Sequence, residues 1–333
     1  MAHTVTLTKT SRHEPIRMAF VLVPQFPMLA FASAIEPLRA TNRLAEATLF
    51  EWTIVTVDGR PVCASNGIEI AAHSSLADLS RADMVIVCAG LEPRQFGRKH
   101  PIHDQLRRIA RHGAKVGAIS SGAFILADAG LLTDRRATVH WEYAELFRAR
   151  YPQVRLTRAL YVVDRDVFTC SGGTAALDLM SHFIGEQFGA ALAHTVAEQF
   201  IHPRIRGTDE AQRAEIPDRY AIGSARLAKA IEVMESSLDA PLSLREIARR
   251  VGVSTRQIER LFIGELQMAP TAFYRLRRLE RARVLLRETL QPVRDVALDS
   301  GFGSTAHLSR AYKRTFGCTP TEERARRIGR FKN

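Results

Sequence analysis

The sequence predicts an α/β three-layer domain followed by an all-α domain built on two helix-turn-helix motifs. Three observations carry this. Across the first two hundred residues, all-apolar runs of strand length alternate with helical patterns, as in a parallel sheet covered on both faces. Near the C-terminus one pattern occurs twice: a short amphipathic helix, a Gly-containing turn, and a second helix opened by Ser. Charge is also divided unevenly: of a net +12, residues 219–333 hold +11 (23 basic, 12 acidic), and residues 1–218 only +1. Such an excess marks a polyanion-binding module attached to a neutral one.

With 333 residues, the chain has room for two domains. Residues 1–15 are expected as a loose tail. Ile16–Val23 is a strand stopped by Pro24, and a helical pattern runs from Met28 to Leu44. Phe50–Val57 is a second strand, Val62–Ile70 a hairpin region around Asn66-Gly67, and Met84–Cys88 a third buried strand. A basic amphipathic helix follows at His103–His112. Lys115–Ile119 is a fourth strand, running through Ser120-Ser121-Gly122 into a helix at Ala123–Leu132. Leu160–Thr169 reads as a hairpin around Asp164-Arg165-Asp166, and Thr174–Ile201 as a long helical stretch broken at Phe188-Gly189. That stretch either offers a homodimer face or covers the sheet. The domain boundaries are thus a sensing domain at 16–201, a polar linker at 202–219, and a helical domain at 220–327.

The four cysteines show no C-x-x-C or Cys/His ligand spacing, so neither a metal site, a cofactor nor a disulfide framework is expected. The N-terminal residues contain no apolar signal core, and no apolar run approaches the roughly 18 residues of a membrane span. A cytoplasmic protein is expected.

In the first copy of the repeat (about 243–264), Leu244, Ile247, Ala248 and Val251 form the buried stripe of a helix, with Ser243 and Glu246 spaced as a capping box. Gly252 supplies the turn and Ser254 caps a second helix, whose Ile258, Leu261 and Phe262 face inward. Thr255, Arg256, Glu259 and Arg260 are left outward, where a recognition helix meets base edges of double-stranded DNA. In the second copy (293–316), Val293, Val296, Ala297 and Ser300 precede Gly301-Phe302-Gly303, and Ser304 caps a helix with Leu308, Ala311 and Tyr312 inward. Thr305, Ala306, Ser309 and Arg310 are outward. Arg suits guanine O6/N7, while Thr and Ala can touch a thymine methyl. Glu259 either accepts from a cytosine amine or only orients Arg256 or Arg260. The helix between the copies carries Arg275, Arg277, Arg278, Arg281 and Arg283; it would set their separation, with some cations on phosphates.

The second copy also holds Ala297, Gly301-Phe302, Leu308-Ser309-Arg310, Lys313, Phe316-Gly317 and Thr319-Pro320. With these, residues 220–327 resemble the DNA-binding domain of the AraC/XylS family. The resemblance implies a seven-helix unit reading successive major-groove segments as direct-repeat promoter half-sites. It implies a sequence-specific regulator, taken as an activator, with RNA polymerase as a partner and a homodimer as the working form.

In the first domain, Gly117-Ala-Ile-Ser-Ser-Gly-Ala-Phe124 has the strand–turn–helix form of a nucleophile elbow, one residue short of G-x-S-x-G. With its surroundings, residues 16–200 resemble the flavodoxin-like ThiJ/PfpI group of the class I glutamine amidotransferase-like fold. Within it they are similar to the sensor domains of GlxA-type regulators. That group presents a cysteine at the elbow; here Ser120 stands in its place, without a readily formed thiolate. The resemblance therefore implies a pocket kept for binding rather than catalysis. Glu36 matches the acidic residue expected to face the elbow, although it could be an ordinary helix carboxylate. His140-Trp141 occupies the place of a His-Trp pair, with Trp141 either core or ligand wall. Ser121 and Ser171-Gly172 offer backbone N–H groups for a carboxylate, or simply a turn. MLAFASAIEPLRATNRL, ASNG and CSGGTAALDLM look closest to regulators of glycine betaine, carnitine or arginine catabolism. A small-molecule effector of that class would place its cation by Glu36 and the aromatic faces of Trp141, Phe26 and Phe31. The competing readings are a serine-dependent amidase, with Ser120 as nucleophile and His140 as base, and a nucleoid-type binder without sequence preference.

Overall fold

A computed structural model describes residues 14–90, 100–213, 215–288 and 291–329; residues 1–13 of the expected tail lie outside them. The chain separates into two compact units, dividing between Gln212 and Arg213.

The first unit runs β1 (Ile16–Leu22), α1 (Met28–Ala45), β2 (Phe50–Thr56), β3 (Val62–Cys63), β4 (Glu69–Ile70), β5 (Ser74–Ser75), β6 (Met84–Ala89), α2 (Pro101–Arg111), β7 (Lys115–Ser120), α3 (Gly122–Asp128), β8 (Arg136–Ala137), α4 (Ala144–Arg150), β9 (Arg155–Leu156), β10 (Tyr161–Asp164), β11 (Val167–Cys170), α5 (Ala175–Phe188) and α6 (Ala190–Gln199). Seven strands form one sheet in the order β10-β11-β7-β6-β1-β2-β5. Every pairing in it is parallel except that of the β10–β11 hairpin.

The continuous apolar runs are explained by burial on both faces. Along β1, Met18, Phe20 and Leu22 enter the core under α1, α5 and α6, while Ala19 and Val21 enter the one under α2, α3 and α4. Phe124 anchors the second core edge-on to Phe147, at 5.0 Å between ring centroids. The helical stretch from Thr174 breaks at Gly189, whose φ is 94°. Its apolar side (Leu179, Met180, Ile184, Val196) covers the sheet. The helix expected at His103 starts earlier, at Pro101, and the one after the elbow ends earlier, at Asp128.

The expected linker at 202–219 is corrected by the structure, because its first half is bound to the sheet unit. Asp178 of α5 is fully buried. Its Oδ1 lies 2.8 Å from His202 Nε2 and accepts from the Arg206 backbone N–H at 2.7 Å. Its Oδ2 accepts from Arg206 Nε and Nη2 at 3.0 and 2.7 Å. A carboxylate taken out of water persists only when paired and hydrogen-bonded in this way.

The second unit comprises α7 (Ile216–Tyr220), α8 (Ala225–Glu235), α9 (Leu244–Val251), α10 (Thr255–Leu266), α11 (Pro270–Glu288), α12 (Val293–Asp299), α13 (Thr305–Phe316) and α14 (Pro320–Gly329). It has two small cores. Leu227, Ile231, Ile247, Ile258 and Phe262 pack with Phe273 and Tyr274 of α11 in one. Val296, Phe302, Leu308 and Tyr312 pack with Leu279, Ala282 and Leu286 of the same helix in the other. One helix thus contributes a face to each core.

Replacing Asp178 with Ala should leave Arg206 uncompensated and cost about 3–5 kcal/mol. Urea unfolding of the full chain would check this, with the transition of the first unit alone moving to lower denaturant.

Candidate functional sites: the strand-end elbow and two exposed helices

Parallel strands bring their C-terminal ends to one edge, and register fixes which residues meet there. Ala89 pairs with Ser120, and Cys88 and Cys170 both pair with Ile119. Ser120 is therefore flanked by Gly90 at the end of β6 and by the turn after β11. It is buried and has a φ of 59°. A side chain held in this left-handed region costs about 1–3 kcal/mol and is kept only by its surroundings. Ser121 provides part of that support, its hydroxyl donating to the Gly90 carbonyl at 2.5 Å. From the other side Gly172, with a φ of 99°, approaches so closely that a Cβ there would lie 3.0 Å from the Ser120 Cβ. Ser171, also buried, donates its backbone N–H to the Leu160 carbonyl. Ser120, Ser121, Ser171 and Gly172 are thus brought together.

His140 and Trp141 follow β8. The Thr138 backbone N–H donates to Thr169 Oγ1 at 2.8 Å, which holds their loop against the last turn of β11. Trp141 is 39% exposed, so it is not core, and its ring lies 5.4 Å from that of His140. Burial holds the His140 imidazole below the usual histidine value, against the opposing pull of Glu142. Its Nδ1 accepts from the Glu142 backbone N–H at 3.4 Å. Among the described residues, no hydrogen bond joins His140 to Ser120, so the nucleophile–base contact of an amidase is absent there.

Three expected contributors are placed elsewhere. Glu36 lies eight residues into α1, about 12 Å along the helix from its start at the strand-end edge, and pairs with Arg39 at 2.7 Å. Both side chains are about half exposed, and among the described residues no hydrogen bond joins Glu36 to Ser120. Phe26 and Phe31 pack edge-on to each other in the core. A residue that was not foreseen closes the site instead: Gln25, with a φ of 66°, brings its carbonyl so near Gly90 that a Cβ would meet it at 2.0 Å. The Gly90 after an apolar strand was the available signal. Among the described residues, no cluster of three or more His, Cys, Asp or Glu side chains could hold a metal ion, and no helix is long and apolar enough to cross a membrane.

In the second unit both helices of the first motif carry complete capping boxes. Ser243 Oγ accepts from the Glu246 N–H at 3.2 Å while Glu246 accepts from the Ser243 N–H at 2.8 Å. Ser254 and Gln257 repeat the arrangement. Ser304 caps α13 by accepting from the His307 N–H at 3.2 Å. Thr255, Arg256, Glu259 and Arg260 on α10 and Thr305, Ala306 and Arg310 on α13 are exposed, and Ser309 is half-buried. Glu259 makes no ion pair with Arg256 or Arg260 among the described residues, so both cations point free of it. A groove of about 450 Å³ at the α9–α10 turn is lined by Arg245, Arg249, Ser254 and Thr255 among others. His307, exposed and edge-on to Phe302, was not anticipated; it occupies the position at which Gln257 folds back on its own cap.

The arginines of α11 are corrected. Arg277 pairs with Glu235 and Glu280, and Arg283 with Glu323 while lying over the Phe316 ring. Arg278 donates to the carbonyls of Ser300 and Gly301 and stacks 4.4 Å from Phe302. It covers the C-terminal end of α12, where orphan carbonyls favour a cation. These side chains tie the motifs together; Arg275 remains exposed. Glu323 gathers Arg287, Tyr312 and Cys318 around α13 and α14. Burial alone would raise its pKa, but the Arg287 bond, supported by Cys318 and Tyr312, holds it below the usual carboxylate value.

A model of a helix-turn-helix domain matches residues 247–326, and one of the DJ-1/PfpI family matches residues 21–186. The HTH-type transcriptional regulator CdhR of Pseudomonas aeruginosa is 40% identical over 306 residues, spanning 92% of this chain and 90% of that one. The regulator GlxA of Rhizobium meliloti is 36% identical over 310 residues, 93% and 96% of the two chains, so both units match together. A crystal structure of an AraC family transcriptional regulator from Pseudomonas putida, 32% identical, aligns over 56% of this chain and all of its own with a TM-score of 0.51.

Gly301 has a φ of 71°, and a Cβ would lie 2.6 Å from the Leu238 carbonyl. Gly301→Ala should therefore destabilise the second unit by more than about 1 kcal/mol. Gly303→Ala, where a Cβ meets nothing within 4 Å, should stay within about 0.5 kcal/mol. Denaturant titration of both variants compares the two.

Proposed function

Because the chain belongs to the AraC-type transcriptional regulators of the GlxA kind, which join a DJ-1/PfpI-like domain to a DNA-binding helix-turn-helix domain, we propose that its first unit is a metabolite sensor rather than an enzyme. The observation that carries this reading is the elbow itself. Ser120 keeps the strained backbone of a nucleophile position, the one feature on the side of an amidase. It has a hydroxyl where relatives in the fold have a thiol, and no base hydrogen-bonds to it among the described residues. What remains is a cluster of small buried polar residues, Ser120, Ser121 and the Ser171-Gly172 turn, to which this reading adds the exposed face of Trp141 as the ligand wall.

That chemistry suits a small amine or amino-acid-like effector of the betaine, carnitine or arginine class. With the Ser171 and Gly172 N–H groups bonded to the Leu160 carbonyl and the Cys170 sulfur, the backbone N–H groups that follow at the start of α5 would take a carboxylate, and Trp141 the cationic end. The cation's partner is the indole face rather than Glu36, which Arg39 already neutralises. Effector binding would change how the two motifs are presented at the promoter, most simply as a cytoplasmic homodimer activating RNA polymerase.

On the DNA side, Thr255, Arg256, Glu259 and Arg260 form one reading edge and Thr305, Ala306, Ser309 and Arg310 the other. Arg245, Arg249 and Arg275 are placed to meet phosphates. Operators recovered from random duplexes should contain two half-sites about one helical turn apart. A footprint without defined half-sites would indicate the nucleoid-type binder instead.

Arg256→Ala and Arg310→Ala should each cost about 1–3 kcal/mol and relax preference at one base position. Anisotropy titrations against single-base operator variants read this; an equal loss on every sequence would make the residue a phosphate contact. Ser120→Ala should leave DNA affinity unchanged. Thermal-shift measurements with glycine betaine, carnitine and arginine should raise the melting of the first unit by an amount equivalent to about 2–3 kcal/mol for a ligand at about a hundred times its Kd. Hydrolysis of an amide substrate by the wild type, lost in Ser120→Ala, would establish the amidase.

A further inference from the structure

The polar segment after α6 is anchored both to the turn after β11, which packs on Ser120, and to the loop that carries His140-Trp141. At its first anchor, Arg206 holds the buried Asp178 and also donates from Nη2 to Thr174 Oγ1 at 2.8 Å. Thr174 directly follows Ser171-Gly172-Gly173. At the second anchor, Ala211 bridges antiparallel to Ala159. Next to it, Gln212 Nε2 lies 2.9 Å from Thr138 Oγ1, 3.0 Å from the Val139 carbonyl and 2.9 Å from the Ala159 carbonyl. Thr138 and Val139 directly precede His140-Trp141. Between the anchors, Arg204 pairs through two bonds with Glu210, which also accepts from the Gly207 N–H. The segment is thus closed on itself between the two anchors.

The two anchors differ in strength. The Asp178 carboxylate is fully buried and satisfied by a guanidinium, a backbone N–H and an imidazole. The Gln212 amide has two N–H donors for three oxygen neighbours, and its Oε1 is buried with no partner among the described residues. One end is fixed, and the other is imperfectly matched. The next residue, Arg213, is the first of the DNA-binding unit.

We propose that residues 202–212 are a latch that couples the elbow to the DNA-binding unit. A ligand that shifts the Thr138–Trp141 loop moves the oxygens that Gln212 holds, so the latch closes or opens directly beside the start of the second unit. Gln212 is a positioning residue in this scheme and touches no ligand. The inference rests on the elbow being the effector site, but the coupling it describes exists in the free protein.

The full-length protein tests it without a ligand. In Gln212→Ala, hydrogen exchange of amides 138–141 and 171–175 should rise by about threefold or more, with β6 and β7 unchanged. Thr138→Val, which removes the hydroxyl that Gln212 holds, should do the same to residues 208–213. Each variant should also change affinity for a selected operator duplex by about threefold or more. Should Gln212→Ala not fold, judged by its melting, the near-isosteric Thr138→Val decides. Exchange that rises only in the mutated loop, or an operator affinity unchanged in the folded variants, overturns the latch. Glycine betaine, carnitine and arginine then separate the two readings. If none alters the melting of the wild type, the elbow reading fails and the exchange and affinity results alone judge the latch. If one binds wild type and Gln212→Ala and changes operator affinity equally in both, the latch is wrong and the elbow reading stands.

Discussion

The register of three central strands decides where this protein's chemistry lies. With Ala89 beside Ser120, and Cys170 level with Ile119, Gly90, Ser121 and the Ser171-Gly172 turn are forced to share one edge. Nothing in the individual loops requires them to meet; the parallel ladder does. The left-handed Ser120, the close approach of Gly172 and the short Ser121–Gly90 bond all accompany the crowding of these strand ends into that space. Two apolar cores keep the ladder rigid, so a strained backbone can persist at its end.

A comparable economy runs through the second unit. Two motifs too small to have a substantial core each borrow part of one from α11. The first motif supports its helices locally, through two capping boxes. The second relies more on distant partners: Arg278 on the end of α12, and Glu323 joining α11, α13 and α14. The two reading helices are therefore held in place by different means.

Much of this was legible in the sequence where the signal is local. Strand runs, the Ser-x-x-Glu spacing and the Gly-containing turns each report on a few adjacent residues, and the helices and strands form where those patterns lie. The elbow was legible for the same reason. What was not legible depends on partners far apart in the chain. Glu36 has the composition of a site residue, but Arg39 one turn away claims it. The arginines of α11 resemble phosphate contacts until Glu235 and Glu323 are seen beside them. Asp178 carried no signal in the sequence that the polar stretch after α6 folds back; only the fold supplies Arg206 and His202 as its partners.

The pairing of Arg277, Arg278, Arg283 and Arg287 with groups of their own unit has a consequence for how the protein meets DNA. Affinity for a duplex grows with the number of counterions that bound cations displace from it, and only cations free to reach phosphate displace any. Charges already satisfied inside the scaffold do not take part. On that account the second unit should depend less steeply on ionic strength than its formal charge implies.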